Sequence, residues 1–401
     1  MRAARLFSGP ELGAGAESFR DHRRRLGPAP AGSRNLIATL ETSGLRGRGG
    51  GAFPVATKWR AVAKRSRGTA VVLANGAEGE PLSWKDRVLM AVRPHLVLDG
   101  AFMAASTVGA AQVLLYVCEE HRVAAAAVSR ALAERPEPER NIARLVASPN
   151  RYVAGEESAA VHFVNAGVAT PTTVPPRPYE RGVDGRATLV QNVESLAQVA
   201  LAGRFGDEWY RSTGIDGQGT VLLSLSGAVA APGVMEVEAG TTVGEAVAEA
   251  GGSSEPPRAV LLGGYFGTWI DASQAWAMPL ETSRLKALGL SLGTGVVSIL
   301  PDRACGVCET ARMMQYLAGE SAAQCGPCFF GLRALADACT GIAEGRSGPA
   351  ELQRLQRWSS QVRGRGACRH PDGAVGFLQS ALQVFWHEFQ HHRAHGIQRV
   401  A

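Results

Sequence analysis

The cysteines of this 401-residue chain are concentrated near its C-terminus, where six of the seven follow residue 300. Two of them form the pair Cys325-x-x-Cys328 in the stretch GESAAQCGPCFFG. Such a pair can be a redox dithiol, half of a zinc site or part of an iron–sulfur cluster. The flanking sequence lacks the strand–helix–strand pattern of thioredoxin-like dithiols. Because Cys305 and Cys308 form a second such pair upstream, zinc chemistry and cluster chemistry both stay open.

A glycine-rich stretch, GLRGRGGGAFPVATKW, covers residues 44–59. Dense glycine allows backbone N–H groups to approach a phosphate or a flat ring closely. Gly47, Gly49 and Ala52 satisfy the G-x-G-x-x-G/A pattern, but that dinucleotide fingerprint needs a preceding strand, and here a helix pattern precedes it. Lys58 and the start of the following helix favour an anion site, with a merely flexible loop as the alternative.

Two acidic motifs follow along the chain. The first, ANGAEGEP, comes directly after a buried strand pattern, and the carboxyl ends of parallel strands are where α/β proteins bind ligands. Asn75, Glu78 and Glu80 are therefore placed to hydrogen bond with ribose or ribityl hydroxyls. The second, YVAGEES, contains Glu156 and Glu157, which are equally well explained as acids at a helix N-terminus.

The sequence HEFQH, residues 387–391, matches the H-E-x-x-H pattern of zinc proteases. A catalytic zinc needs a third protein ligand. The residues after the motif contain no Asp or Glu, and His395 does not have the spacing of the extended motif. The motif therefore predicts a polar helix face and not a metalloprotease.

Strand and helix patterns alternate from residue 69 to residue 135, which predicts an α/β fold with a mostly parallel sheet. Beyond residue 216, two strand patterns around a Pro-Gly turn, a short amphipathic helix and a further strand predict a small β-grasp unit. Four amphipathic helices then predict a C-terminal four-helix bundle. The predicted divisions are a flexible N-terminal arm (1–34), an α/β domain (35–215), a β-grasp domain (216–292) and a helical-bundle domain (293–401).

Composition excludes several classes of function. The chain is 45% apolar with a net charge of +6 that is spread along its length, so no basic block predicts nucleic-acid binding. No apolar run reaches about 18 residues, which predicts that no segment spans a membrane. The N-terminal residues do not resemble a secretory signal, and an odd number of cysteines is typical of a reducing compartment. These features predict a cytoplasmic protein, attached to the inner membrane only through partner subunits.

Taken in order, SGLRGRGGGAFP, NGAEGEP, YVAGEES, QNVESLA and ESAAQCGPC resemble the motifs of one family. It is the NADH-oxidising flavoprotein subunit of respiratory complex I, with its relatives in NAD-linked hydrogenases and formate dehydrogenases. The resemblance runs from about residue 35 to residue 395. It implies a Rossmann-like domain for FMN and NADH, a β-grasp domain and a four-helix iron–sulfur domain. It also implies hydride transfer from NADH, or less readily NADPH, to FMN, followed by single-electron transfer to a ferredoxin-like or membrane-bound partner.

The resemblance also assigns residues. Phe53, Glu80 and Glu157 would position the nicotinamide nucleotide, because hydride transfer needs no acid or base from the protein. The thiolates for a 4Fe–4S cluster would be the two cysteines of the C-x-x-C pair and Cys368. The implied FMN contacts are Gly47, Gly49, Gly50, Lys58, Asn75, Glu78, Tyr152, Gly155, Glu156, Gln191 and Asn192.

The chain departs from the family at the cluster motif. That motif is E-S-C-x-x-C-x-P-C-R, and Ala322 stands where it has its first cysteine. Three thiolates remain, although a cluster normally uses four. Cys305, Cys308, Cys339 or an exogenous ligand would have to replace the missing one.

A second departure lies in the loop VPPRP, where Val174 and Arg177 replace the Lys and Phe of the family. An arginine suits a phosphate, including the 2′-phosphate of NADPH. Together the two departures leave an alternative function open. The chain would then be a non-catalytic or electron-relay subunit with a degenerate nucleotide site, and with zinc or no cluster in its bundle.

Overall fold

The structure is a computed structural model that describes residues 4–347 and 350–392. Its first sheet has four parallel strands in the order β3-β2-β1-β4. Side chains that alternate along β1 and β2 enter separate apolar cores on the two faces of this sheet. Burial on both faces explains why these strands are almost continuously apolar in sequence. The strands are β1 Ala70–Gly76, β2 Ala110–Cys118, β3 Ala143–Ser148 and β4 Thr188–Asn192.

Helices cover both faces of the first sheet, so the predicted α/β class with a parallel sheet is confirmed. Helix α5 is buried along almost its whole length and packs against α9. The helices are α1 Phe19–Leu26, α2 Arg34–Thr42, α3 Val55–Ala63, α4 Lys85–Val92, α5 Pro94–Val108, α6 Arg122–Ala133, α7 Glu137–Ile142, α8 Glu157–Ala166 and α9 Val193–Arg211.

The N-terminal segment differs from the flexible arm that the sequence predicted. Leu6 is fully buried, and the backbone N–H groups of Arg5, Leu6 and Phe7 each donate to the Glu236 carboxylate over 3.0 Å. His22 of α1 lies 2.6 Å from the buried carboxylate of Asp99. These contacts hold residues 4–26 against the rest of the fold, so the prediction of a mobile arm is wrong for them.

The second sheet is mixed, with five strands in the order β6-β5-β9-β7-β8. Its central strand, β9, pairs parallel with β5 and antiparallel with β7. The sequence predicted that this unit ends at residue 292, whereas β9 extends the sheet to Pro301. The elements are β5 Thr220–Gly227, β6 Gly233–Glu238, α10 Val243–Glu249, β7 Pro257–Leu262, β8 Thr268–Asp271, α11 Ala272–Ala275, α12 Thr282–Ala287 and β9 Val296–Pro301.

Helices follow β9 and pack on one face of the second sheet. Leu261, Trp269 and Leu300 point from that face into the helical core, while their neighbours Val260 and Leu262 enter the core on the opposite face. This alternation is the two-residue period of a strand. The helices are α13 Gly306–Gly319, α14 Arg333–Ala343, α15 Ala350–Val362, α16 His370–Val384 and α17 Trp386–His391, with a π-helical turn at Pro327–Leu332 before α14.

Within residues 4–347 and 350–392, no single helix has both the length and the apolar composition to cross a membrane. Only α4 and α5 counted together would satisfy both criteria, and they are bent by 97° at their junction.

Candidate functional site

A cleft opens at the carboxyl ends of β1 and β4, where the strand order of the first sheet reverses direction. Ligands of open α/β sheets bind at this kind of switch point. Asn75 is the penultimate residue of β1, Asn192 ends β4, and the two residues are paired in register. The cleft has a volume of about 920 Å³, part of it open to solvent. We refer to it as the strand-end cleft.

Most residues that the sequence assigned to a cofactor line this strand-end cleft. Gly47 and Gly50 line a smaller adjacent cavity, which the glycine loop forms with residues 291–295. Phe53 is 53% exposed and lies outside both sets of lining residues, as do Lys58, Glu157 and Gln191. The assigned residues in the strand-end cleft are Gly49, Asn75, Glu78, Glu80, Tyr152, Gly155, Glu156, Asn192 and Cys368.

The carboxylate of Glu78 holds the start of α4. It accepts hydrogen bonds from the Ser83 hydroxyl (2.7 Å) and from the backbone N–H groups of Asp86 and Arg87 (2.9 Å each). The Arg87 guanidinium donates a further bond over 3.1 Å. Both carboxylate oxygens are therefore engaged by donors of this chain, and Glu78 shapes the wall of the strand-end cleft.

A buried ion network lies behind this wall. The Lys85 ammonium contacts the carboxylates of Asp86 (2.7 Å) and Glu194 (2.8 Å), and all three side chains are less than 10% exposed. Burial by itself lowers the pKa of Lys85, but the two carboxylates outweigh it and keep the ammonium charged. Asn192 donates to Asp86 over 2.6 Å, and the backbone N–H of Leu222 donates to Glu194 over 3.0 Å. The network therefore joins the first sheet to the second.

Glu80 is buried where the first sheet, the second sheet and the helices meet. One of its oxygens accepts from the Tyr265 N–H (2.9 Å) and the Tyr152 hydroxyl (3.0 Å), and the other accepts from the Leu82 N–H at 3.3 Å. Gly264, at φ +90°, makes room for this carboxyl, since a Cβ there would lie 2.6 Å from its carbon. Burial outweighs the hydrogen bonds and raises the pKa of Glu80 to about 7.

We expect this pKa to make stability depend on pH. The carboxyl is neutral in both folded and unfolded chains below about pH 4.5, so its contribution is fully present there and is lost as the pH rises through about 7. The loss amounts to about 3 kcal/mol above pH 7. The midpoint temperature of thermal unfolding of the cofactor-free protein should therefore fall more steeply between pH 5 and 8 for wild type than for Glu80→Gln. The exposed control Glu119→Gln should follow wild type, and identical slopes for all three proteins would contradict the prediction.

The motif YVAGEES forms a turn and the start of α8. Glu156 is the N-cap, and its carboxylate accepts from the backbone N–H groups of Ser158 and Ala159 over 2.9 Å. Glu157, in the first turn, forms an ion pair with Lys58 over 2.7 Å. The helix-terminus explanation of these two acids is thus confirmed, although Glu156 also lines the strand-end cleft.

Of the three predicted cluster ligands, Cys368 lines the strand-end cleft, whereas Cys325 and Cys328 lie outside its lining. Burial and the neighbouring Cys325 and Cys368 thiols together raise the pKa of the Cys328 thiol to about 12. Glu320, from the cluster motif, accepts from the backbone N–H of Tyr152 over 2.8 Å. This bond holds the cysteine loop against the turn that the YVAGEES motif forms.

The other cysteines are too far away to complete this group. Cys305 and Cys308 lie at the start of α13, and Cys325 follows its end. The 14 residues of α13 span about 20 Å at 1.5 Å per residue. The zinc interpretation that joins the two C-x-x-C pairs is therefore wrong, as is replacement of the missing ligand by Cys305 or Cys308. Cys339 is buried in the middle of α14, roughly 15 Å along the helix from Cys328.

The walls of the strand-end cleft contain polar atoms that suit a polar cofactor. In the described part of the chain, the Nε of Arg48 and the Nδ1 of His370 are buried without a hydrogen-bond partner. A buried polar atom that stays unpaired costs about 1–3 kcal/mol. The Arg48 Nε is a donor, whereas the His370 Nδ1 is an acceptor, because the His370 Nε2–H donates to the Leu317 carbonyl over 2.8 Å. The two atoms therefore favour a polar ligand that has both acceptors and donors. Gly155 keeps the cleft open, because a Cβ there would touch only Ala77. The residues that line the strand-end cleft therefore fit FMN.

Several lining residues were not predicted from the sequence. Five of them lie inside or next to a predicted motif, so proximity along the chain was an available signal. Phe266 and Thr294 lie outside every predicted motif, and only the tertiary structure brings them to the cleft. The lining residues that were not predicted are Arg48, Ser83, Asp86, Phe266, Thr294, Arg369 and His370.

Comparison with known proteins identifies the family. Residues 40–201 match the family model of the Nuo51 FMN-binding domain, and residues 305–392 match the iron–sulfur binding region of NADH-ubiquinone oxidoreductase-F. The F subunit (form 2) of the NADH-quinone oxidoreductase of Rhizobium meliloti (strain 1021) is 30% identical over 96% of this chain and 94% of its own length. The chain belongs to the family of NADH-quinone oxidoreductase F subunits.

Other comparisons agree with this assignment. The corresponding NADH-quinone oxidoreductase protein of Salmonella typhimurium is 31% identical over 88% of this chain and 83% of its own length. A crystal structure of NAD⁺-reducing [NiFe]-hydrogenase superimposes with a TM-score of 0.82 at 30% identity, over 90% of this chain. This chain spans 63% of that hydrogenase chain. Residues 223–264 match an SLBB domain. The chain is thus an NADH dehydrogenase-type flavoprotein with a Rossmann-like FMN-binding domain and an iron–sulfur region.

Proposed function

We propose that this NADH dehydrogenase-type chain oxidises NADH through FMN held in the strand-end cleft and passes single electrons to a cluster at Cys325, Cys328 and Cys368. One observation carries the proposal: Cys368 lines the same cleft as the glycine loop and the two acidic motifs. When bound, FMN accepts a hydride and releases electrons one at a time. Most of the predicted flavin contacts and one predicted cluster ligand line the strand-end cleft, which supports a short electron path between the two cofactors.

In this proposal the residues of the chain bind and orient FMN. Gly49 and Gly155 leave room for backbone contact, and Asn75 and Asn192 present amides at the strand ends. Tyr152 is the aromatic wall toward the helices. The remaining assigned contacts, namely Gly47, Gly50, Lys58, Glu78, Glu156 and Gln191, stay predictions.

The proposal assigns the nicotinamide side to Phe53, Glu80 and Glu157. The exposure of Phe53 supports this, because an exposed aromatic ring is available for stacking. The carboxylates of Glu80 and Glu157 already have partners within the chain, so their effect would be to position other groups. NADPH is the alternative donor. The exposed Arg177 supports it, because this residue lies in the loop VPPRP, where the sequence departs from the family.

The cluster of this proposal has three thiolates from the chain. We expect Ala322→Cys to restore a fourth and to slow the loss of iron to a chelator under anaerobic conditions, since a 4Fe–4S cluster normally uses four cysteines. Ala322 is half-buried beside the cysteine loop. Gln324→Cys is the matched control, because it adds a thiol to the same loop at another spacing. Equal iron retention in wild type and Ala322→Cys would show that this site no longer binds a cluster.

We also propose the finer domain assignment. The strand order of the second sheet and the SLBB match support a β-grasp unit, and α13–α17 support a helical cluster domain. The names of the relatives, which are subunits of an NADH-quinone oxidoreductase, support delivery of electrons to a ferredoxin-like or membrane-bound partner. They equally support a cytoplasmic position at the inner membrane through partner subunits.

Anaerobic purification of the full chain tests the proposal. We expect a coloured protein that contains about one FMN per chain together with the iron of one 4Fe–4S cluster. A colourless protein without flavin and iron would support the second candidate, a non-catalytic subunit. One observation favours that candidate: the carboxylates of Glu78 and Glu80 are fully engaged by donors of the chain itself.

A further inference from the structure

A second group of sulfur and nitrogen atoms lies at the far end of α13 from the cluster motif. Cys305 is the N-cap of α13, Cys308 is in its first turn, and His392 directly follows α17. The Sγ atoms of both cysteines lie 3.7 Å from the Nε2 atom of His392. All three atoms are within 4.8 Å of one another.

Hydrogen bonding alone does not explain this convergence. A neutral imidazole nitrogen offers one lone pair, so it accepts one S–H bond well and not two from different directions. A tetrahedral Zn²⁺ does explain it. Zinc–sulfur bonds of about 2.3 Å and zinc–nitrogen bonds of about 2.0 Å place sulfur and nitrogen about 3.6 Å apart. The two observed distances are close to this tetrahedral edge.

The surrounding structure holds the cysteine pair and the third ligand in place. The N-terminus of α13 carries partial positive charge, and its Cys308 N–H points at the Cys305 sulfur over 3.4 Å. Glu388 of α17 accepts from the Gly306 N–H over 3.0 Å and pairs with Arg258. These bonds dock the helix that ends before His392 against the start of α13 independently of any metal.

We propose that Cys305, Cys308 and His392 bind a structural Zn²⁺ ion, separate from the iron–sulfur site. Two thiolates and one imidazole are a donor set typical of zinc, and the ion would join the end of α17 to the start of α13. Water would take the fourth position. The C-x-x-C pair at residues 305–308 therefore has its own function and is not a reserve of cluster ligands.

Elemental analysis of the anaerobically purified full chain tests this proposal. We expect about one zinc per chain that survives dialysis against a mild chelator, with sulfur and nitrogen at zinc-bond distances in X-ray absorption. Cys308→Ser and His392→Gln should each lose the zinc and keep iron and flavin. His391→Gln, which changes the neighbouring exposed histidine, should keep it. Cys368→Ser should lose iron and keep zinc.

Three results would overturn the proposal. The first is a zinc content at background in wild type, the second is an unchanged zinc content in both Cys308→Ser and His392→Gln, and the third is a Cys305–Cys308 disulfide in protein kept anaerobic. Far-ultraviolet circular dichroism of each variant excludes unfolding as the cause of metal loss. The zinc measurement is independent of the proposed function, because iron and flavin are counted separately in the same samples.

Discussion

Lys85→Met should destabilise the cofactor-free protein by about 3–5 kcal/mol, because it leaves two buried carboxylates without their cation. Lys85, Asp86 and Glu194 are all less than 10% exposed, and water cannot replace the lost charge. The same change should lower flavin content, since Lys85 and Asp86 line the strand-end cleft. Denaturant unfolding and flavin absorbance of the purified variant measure the two effects.

Lys58→Met is the matched control, because it removes a lysine from a pair at a similar distance but with far greater exposure. The side chains of Lys58 and Glu157 are 21% and 32% exposed. Pairs in contact with solvent contribute about 0–1 kcal/mol, so the control should lose far less stability. A double variant, Lys85→Met with Glu194→Gln, should recover part of the loss. Equal destabilisation by Lys85→Met and Lys58→Met would contradict the buried network.

Cys368→Ser should remove most of the iron and most of the electron delivery to a one-electron acceptor protein, while flavin content is retained. Changes in the outer shell of a metal site already cost roughly 10–100-fold in affinity, and loss of a ligand costs at least as much. The effect should be severe here because Ala322 has already reduced the set to three thiolates. Iron per chain and NADH-dependent reduction of a ferredoxin should fall together.

Cys339→Ser is the control for this variant, since Cys339 is buried in the same helical region but distant from the cysteine loop. It should keep its iron. Iron in Cys368→Ser at the wild-type level would show that Cys368 is not a ligand, and joint loss of flavin and iron would show that the variant has lost the cleft itself.

Local patterns in the sequence predicted the elements that depend on local physics. The apolar run before Asn75 predicted β1, and the pattern after the glycine-rich stretch predicted the helix that the structure shows as α3. The strand β3 was missed, because ARLVAS at this sheet edge is only partly apolar. The strand β9 was assigned to the helical region, because only its pairing with β5 and β7 reveals its sheet.

For the candidate site too, local motifs could be predicted from the sequence, whereas contacts that depend on the tertiary structure could not. Motif matches predicted Asn75, Gly155 and Cys368, and the structure brings them to one cleft. The partner Glu194 of Lys85 could not be derived from spacing, because it is distant in sequence and reaches Lys85 only through the pairing of β1 with β4. His392 was missed for a similar reason. It follows a histidine-rich motif that drew attention to His387 and His391, while the cysteines it approaches are far upstream.

One anaerobic titration with NADH tests the central claim most directly, with the flavin band followed by absorbance and the cluster by electron paramagnetic resonance in the same sample. The proposed function predicts that NADH bleaches the flavin band of wild type and that the signal of a reduced cluster then appears. In Cys368→Ser the flavin should bleach without that signal. A flavin band that NADH leaves unchanged, or a cluster that stays oxidised in wild type while the flavin is reduced, would contradict electron transfer from NADH through this chain.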